Sequence, residues 1–424
     1  MKFCNICLYP DNHALNIIFD EQGVCSGCRV HEEKYQIDWN KKYQELKQML
    51  GQYKNRPDTS YDCVIPVVGS GDDFFVVDMV KNQFGLNPLL VTYNSQFGTK
   101  VGVRNLARLI TKLDCDHLMS TVGPDTIKEI TKITLRKMGN MYWHVLAGSQ
   151  TFPVQVATKL DIPLVIWGVN GWLDQVGMFS HHDRVEMTKK VRKEHGLRGF
   201  DAEALIGESE NISKKDLQVF NYPTDQQLEK SRVRGLYIGN YVLWDSQKQT
   251  AAMIDKFDYE TSEQERTYNR YESIHCANNA SVHDYIKYLK FGYAKVSDHV
   301  ARDIRLKRIN RVEGLKLITQ YLTLKPKALT TFLNWLGMSE SEFENIIDQF
   351  RDPSVWRKAQ NGHWECFNNI LTEKLALFGE AESVAIDPLE YIQTELLEKQ
   401  YWDSDYILLG RTYMDEFNYK AEEG

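Results

Sequence analysis

Long apolar runs are missing from this sequence of 424 residues. None approaches the roughly 18 residues that a membrane-spanning helix requires; the longest are segments such as Pro163–Trp167. Met1-Lys2-Phe3-Cys4 leads into no apolar signal-peptide core. A cytoplasmic protein with no membrane partner is therefore expected. Positive charge is also in short supply: 51 Lys and Arg against 58 Asp and Glu leave a net charge of −7. That balance speaks against a dedicated nucleic-acid binder, although a local basic patch can survive it. Internal repeats and low-complexity segments are lacking, and only Lys420–Gly424 reads as a frayed tail. With 42% hydrophobic and 26% charged residues the composition is that of a folded protein rather than a disordered one. The length suits two or three domains.

Cysteine is unevenly spread. Of eight, four lie in the first 28 residues, as Cys4-x-x-Cys7 and Cys25-x-x-Cys28. Two C-x-x-C knuckles joined by a short hairpin can present four thiolates to one tetrahedral zinc ion. Pro10-Asp11 and Gly23 are suitable turn residues between them. Two disulfides are the weaker alternative in a reducing compartment. Four thiolates close the coordination shell, so such a metal holds the fold and does no catalysis. Cys63 and Cys115 sit in or beside apolar stretches and read as small core residues. Cys276 and Cys366 are isolated, and neither is assigned as a nucleophile.

From Lys34 the pattern is helical, with Trp39, Tyr43, Leu46 and Leu50 on one face. Strands then alternate with helices. Asp62–Val68, Asn87–Tyr93, Asp116–Thr121 and Pro163–Val169 read as strands. The stretch up to Phe84, Lys100–Leu113, Pro124–Met138 and Ser149–Leu160 read as helices. This order implies a parallel sheet covered on both faces, with ligands at the carboxyl ends of its strands. The loop Gly69-Ser70-Gly71-Asp72-Asp73 follows the first strand. It is either a phosphate cradle at a helix N-terminus or simply a tight turn. Along Lys100–Leu113, Lys100, Arg104, Arg108 and Lys112 recur every four residues. A solvated helix face is the favoured reading over a binding stripe.

Several of these segments resemble the N-acetyl sugar amidotransferases of the PP-loop ATP pyrophosphatase superfamily. The resemblance rests on the N-terminal cysteines, Asp62–Asp73, Asn87–Asn94, Val101–Leu106, Trp143-His144, Ala147-Gly148, Thr151-Phe152-Pro153 and Ile162–Gly168. It continues through His283–Tyr293 and near Gly337–Trp356. It implies an α/β fold: a PP-loop (adenine nucleotide alpha hydrolase-like) parallel sheet, an N-terminal zinc module over 1–33, the α/β domain over 34–275 and a helical C-terminal region over 276–424. The implied activity belongs to lipopolysaccharide or nonulosonic acid biosynthesis. ATP with magnesium adenylates the acetamido oxygen of a sugar or nucleotide sugar, and ammonia displaces AMP to leave an acetamidine. Separate glutaminase and cyclase-like subunits would supply the ammonia, which agrees with the absence of a Gly-flanked cysteine nucleophile here. Carried over by position, Gly69, Ser70, Gly71, Asp72 and Asp73 would hold the nucleotide, and Asp73 and His144 would serve catalysis. Arg104, Trp143, Arg302 and Arg305 would meet the sugar, and Cys4, Cys7, Cys25 and Cys28 the zinc.

The chain departs from the family where the nucleotide should sit. The family's loop reads Ser-Gly-Gly-Lys-Asp-Ser. Here Asp72 replaces the lysine and Phe74 the final hydroxyl. At about 5 Å and an effective dielectric of about 20, each charge interaction with a phosphate is worth roughly 3 kcal/mol, so the exchange is costly for ATP. Magnesium bridging Asp72 or Asp73 to phosphate would restore part of it. Tyr142 and Val145 stand where the family has cysteines around Trp-His, and Val169 where it has an acid. A catalytically altered relative that binds a sugar or a partner subunit is the alternative reading, and a tRNA-modifying PP-loop enzyme the second. In the C-terminal half, His181-His182-Asp183 with Glu186 reads as a loop before a metal site. Gly235–Trp244 adds a strand. Arg302, Arg305, Lys307, Arg308 and Arg311 make a basic group that either holds phosphate or carboxylate or is solvated. Ser339 with Glu342 reads as a structural capping box.

Overall fold

A computed structural model describes residues 1–57 and 59–372; Lys420–Gly424 lies outside them. Five short strands form one parallel sheet: β1 (Cys63–Pro66), β2 (Pro88–Tyr93), β3 (His117–Ser120), β4 (Leu164–Trp167) and β5 (Arg234–Tyr237). Their spatial order is β3-β2-β1-β4-β5. The chain thus winds outward from β1 in one direction and then, through β4, in the other. β1 and β4 flank the topological switch point, where doubly wound sheets bind ligands.

The central strands β1, β2 and β4 alternate with period two and are buried on both faces, while the edge strand β3 leaves Leu118 exposed. Cys63, Ile65, Leu90, Leu164 and Ile166 point to one side. There they meet α2 (Trp39–Gly51), α3 (Gly71–Asp78), α4 (Lys100–Lys112) and α10 (Ser246–Phe257). Val64, Leu89, Val91 and Val165 point to the other, against Val154, Val156 and Ala157 of α6 (Trp143–Lys159). Helix α5 (Pro124–Met138) packs Ile127, Ile130 and Ile133 beside it. Short helices α7 (Gly171–Asp174), α8 (Lys189–Val191) and α9 (Asp225–Ser231) punctuate the long connection to β5 and α10.

A second core is helical. It is built from α11 (Ala277–Phe291), α12 (Lys295–Arg305), α13 (Arg311–Tyr321), α14 (Ala328–Leu336) and α15 (Glu340–Asp348), closed by the antiparallel hairpin β6 (Trp356–Lys358) and β7 (Trp364–Cys366). The N-terminal segment, with α1 (Ser26–Glu33), forms a small cluster around its cysteines. Among the described residues no helix is long and apolar enough to cross a membrane. Ser339 accepts a hydrogen bond from the Glu342 N–H, whereas the Glu342 carboxylate pairs with Arg136, so the expected box is half formed.

Candidate functional site

The switch-point loop runs from β1 into α3. Asp73 folds back on it: one carboxylate oxygen accepts from the N–H groups of Val68 (2.7 Å) and Ser70 (2.9 Å), while the Ser70 hydroxyl accepts from the Asp73 N–H. This is a complete capping box. The Tyr259 hydroxyl, whose ring packs on Phe74 beside the loop, donates to the Tyr271 carbonyl at 2.9 Å. Phe74, fully buried, packs against Phe257 and Tyr259 instead of offering a hydroxyl to the loop. A Cβ on Gly69 would stand 2.6 Å from the Leu106 backbone nitrogen, and one on Gly71 2.4 Å from Thr250 Oγ1. Both glycines are there to let helices approach.

Asp72 turns toward α10, where the Ser246 hydroxyl donates to it at 3.2 Å. Its other oxygen is buried without a partner. Burial, with Glu272 and Asp73 nearby, pushes its carboxyl up to about 8, against the pull of Arg302. Burial also raises Asp73, opposed by the Val68 and Ser70 N–H groups. The triphosphate implied by the family resemblance does not fit this loop. The N–H groups at 68, 70 and 73 are spent on the protein's own oxygens, and the hydroxyl is a core phenylalanine. Position 72 offers a polyanion no positive charge, only a carboxyl that burial keeps protonated near neutral pH.

Around the loop stand residues that sequence reading did not bring together. Glu272 accepts from Arg302 and from His299 Nε2 at 3.2 Å. Burial would raise its carboxyl, but Arg302 and His299 hold it well below the ordinary range. His275 and Cys276 follow. Burial would raise the Cys276 thiol, yet His275, the Tyr142 hydroxyl at 3.3 Å and Lys295 bring it to about 7. Tyr142, which stands where the family has a cysteine, thus contacts a cysteine from another element. Tyr142 and Cys276 lie 134 positions apart, and no spacing in the sequence announces their contact.

The other expected site residues are placed as follows. His144 is buried, with Nδ1 3.2 Å from the Tyr93 hydroxyl and its ring against Phe97; burial drives it down to about 3. No contact joins it to Asp73 among the described residues. Trp143, 1% exposed, donates its indole N–H to the Phe200 carbonyl. Arg104 forms a bidentate pair with Glu260, and Arg108 and Lys112 reach Glu260 and Asp258. Arg104 and Arg108 are therefore neither solvated nor open to a ligand: they clamp the segment after α10, while Lys112 and Asp258 pair at the surface. The basic group of α12 and its neighbours is likewise engaged. Arg302 meets Glu272, and Arg308 meets Asp245 and Asp303. Arg311 donates to the Cys4 carbonyl.

Arg305 belongs to the cysteine cluster. The four sulfur atoms lie within 4.8 Å of one another and all four residues are buried. Cys4–Cys28 is 3.8 Å and Cys7–Cys25 3.5 Å. Four sulfurs each ~2.3 Å from a tetrahedral zinc would lie about 3.8 Å apart, whereas a disulfide needs ~2.05 Å. The set fits zinc. The Ile6 and Cys25 N–H groups point at Cys4 Sγ, and Arg305 Nη2 lies 3.6 Å from Cys7 Sγ and 3.5 Å from Cys25 Sγ. Such donors offset the charge of four thiolates. The His181-His182-Asp183 loop assembles no metal group among the described residues: the His181 N–H is tied to Glu33, and Glu186 pairs with Arg234.

Residues 265–371, which carry Glu272, His275, Cys276 and Arg302, match the family model described as LPS biosynthesis protein WbpG-like, C-terminal domain. Over these residues the chain is similar to that domain. This segment contributes to the switch-point cluster through Glu272 and His275. Through Arg305 and Arg311 it also closes over the cysteines. Elsewhere the likenesses are slighter. The uncharacterized protein MJ1599 of Methanocaldococcus jannaschii is 24% identical over 116 residues, 27% of this chain and 41% of that protein. The chain thus spans less than half the length of this curated relative. Among solved structures, an NH3-dependent NAD synthetase from Campylobacter jejuni is 13% identical, over 46% of this chain and 95% of that one, with a TM-score of 0.26. An NMN synthetase from Francisella tularensis is 15% identical, over 52% and 87%, also at 0.26. Scores this low carry no argument about fold or chemistry.

Proposed function

We propose that this chain handles an acetamido sugar in lipopolysaccharide biosynthesis, as a relative of the N-acetyl sugar amidotransferases whose switch-point loop no longer holds ATP. It would act as a sugar- or partner-binding subunit alongside glutaminase and cyclase-like proteins that supply ammonia. One observation carries this reading. A WbpG-like domain meets the switch-point loop of a doubly wound sheet, and that loop has spent its anion-binding groups on its own side chains.

A second reading, the amidine-forming ligase itself, is favoured by the retained Gly71 and Asp73. Calorimetric titration with ATP–magnesium separates the two, together with an assay for AMP from ATP, ammonia and a panel of acetamido sugars. The first reading expects no heat of binding and no AMP from folded, zinc-loaded protein. A tight ATP complex, or AMP formed in step with an amidine, overturns it in favour of the second.

A further inference from the structure

A cavity of about 580 Å³ lies between the N-terminal cysteine module, α6 and the start of the WbpG-like domain, and none of the roles above uses it. Its volume is that of a small-molecule site. Its walls include the aromatic Trp143, Trp172 and Phe200 and the cationic Arg198, Lys287 and Lys290.

The charges do not balance. Lys287 is neutralised by Asp298 at 2.6 Å, and Asp298 also accepts from Tyr9. Arg198 and Lys290 have no carboxylate partner among the described residues. Arg198, at the rim, donates to the Ala14 carbonyl at 2.6 Å. Lys290 donates to the carbonyls of Met138 (3.0 Å) and Gly139 (3.2 Å), which leaves one of its three N–H groups over. Burial and the Arg198 charge push its amine down to about 8. The histidines of the lining do not compensate. His283, stacked on Tyr142 at 4.5 Å, is driven down to about 3 by burial and then by Lys287 and Lys290. Burial lowers His13 as well, against the pull of Asp298. Three polar atoms of the lining, Gln150 Oε1, His283 Nδ1 and His13 Nε2, are buried without a hydrogen-bond partner, the last lying 3.8 Å from Asp298. A buried acceptor left unpaired is costly until a ligand donor meets it.

From these features we infer that the cavity binds an anionic sugar, a pyranose bearing a carboxylate or a phosphate. The anion would lie between Arg198 and Lys290, hydroxyl groups would meet Gln150 and His283, and the ring would lie on the aromatic side chains. That the ligand is anionic rests on the cavity alone; that it is a sugar rests on the function proposed above.

The test uses the full chain with zinc bound. Isothermal titration and tryptophan fluorescence would follow glucuronate, N-acetylglucosamine 1-phosphate, neutral N-acetylglucosamine and inorganic phosphate. At least one charged sugar should bind, at least tenfold more tightly than the neutral one, and which one binds distinguishes carboxylate from phosphate. Arg198→Gln and Lys290→Met should each weaken that complex fivefold or more. Lys290 also caps the end of α5, so Arg198→Gln, at the rim, keeps the test decisive if the lysine variant fails to fold. No binding by either charged sugar or by phosphate, or equal affinity in wild type and Arg198→Gln, overturns the anion site. Inorganic phosphate binding as tightly as the sugar phosphate would support the anion site but overturn the sugar assignment, and with it the sugar-handling half of the proposed function.

Discussion

Asp72 offers the sharpest test of how the switch-point loop is built. Its carboxyl has one buried oxygen without a partner and is pushed from its ordinary 3.8 up to about 8 by burial, Glu272 and Asp73. Between about pH 4 and pH 8 the folded protein therefore keeps this proton while the unfolded chain releases it. The folded state binds more protons across that window, so stability falls as pH rises through it. A rise of roughly four pH units at about 1.36 kcal/mol each bounds the loss near 5–6 kcal/mol by pH 8, and about 3–4 kcal/mol once partial exposure of the residue is allowed for. Asp72→Asn keeps the shape and removes the titration. Urea unfolding at pH 5, 6.5 and 8 should show wild type losing stability steadily and the variant losing much less. The variant should be the more stable by a few kcal/mol at pH 8 and nearly equal to wild type at pH 5. Parallel curves for the two proteins would refute the account of the loop as a pair of crowded carboxylates. A variant less stable than wild type at pH 8 would refute it as well.

Three further outcomes follow from the packing. Cys25→Ser should abolish bound zinc, measured as one ion per chain in wild type by plasma mass spectrometry, and lower the melting temperature as chelator does in the parent. Glu260→Leu strands the Arg104 and Arg108 guanidiniums and should cost about 3–5 kcal/mol in denaturant unfolding; a loss under about 1 kcal/mol would mean that the α4 clamp is not structural. Gly71→Ala should cost about 1–3 kcal/mol because its methyl would stand 2.4 Å from Thr250 Oγ1, and Thr250→Ala in the same chain should return most of that loss.

The sheet was legible because its strands are short β-branched runs bounded by turn residues, and β1 to β4 fall inside the stretches that read as strands. The helix expected to begin at Ser149 starts six residues earlier, at Trp143. Tyr142 precedes it with no side-chain cap, so the usual polar signal of a helix start is missing. The hairpin of β6 and β7 escaped because strands of three residues are too short to show a period. Four cysteines at C-x-x-C spacing could be read directly, since both knuckles are local. The basic residues could not. Arg104, Arg302, Arg305 and Arg308 look like ligand-seeking charges until Glu260, Glu272, the cysteine sulfurs and Asp245 are placed beside them, and each of those partners lies at least 30 residues away.

The contact of Arg305 and Arg311 with the N-terminal cysteines has a consequence for how the protein is made. Cys4 to Cys28 leave the ribosome well ahead of the guanidiniums that cover them, which come nearly 300 residues later. At roughly 5–20 residues per second that is about 15–60 s of synthesis. Through that interval the thiolates lack the charge that balances them in the finished molecule, so early metal capture would be their main protection from oxidation. Low zinc or oxidative stress during growth should then be recorded permanently in the yield of folded protein, while the same stress applied to the finished chain should do much less.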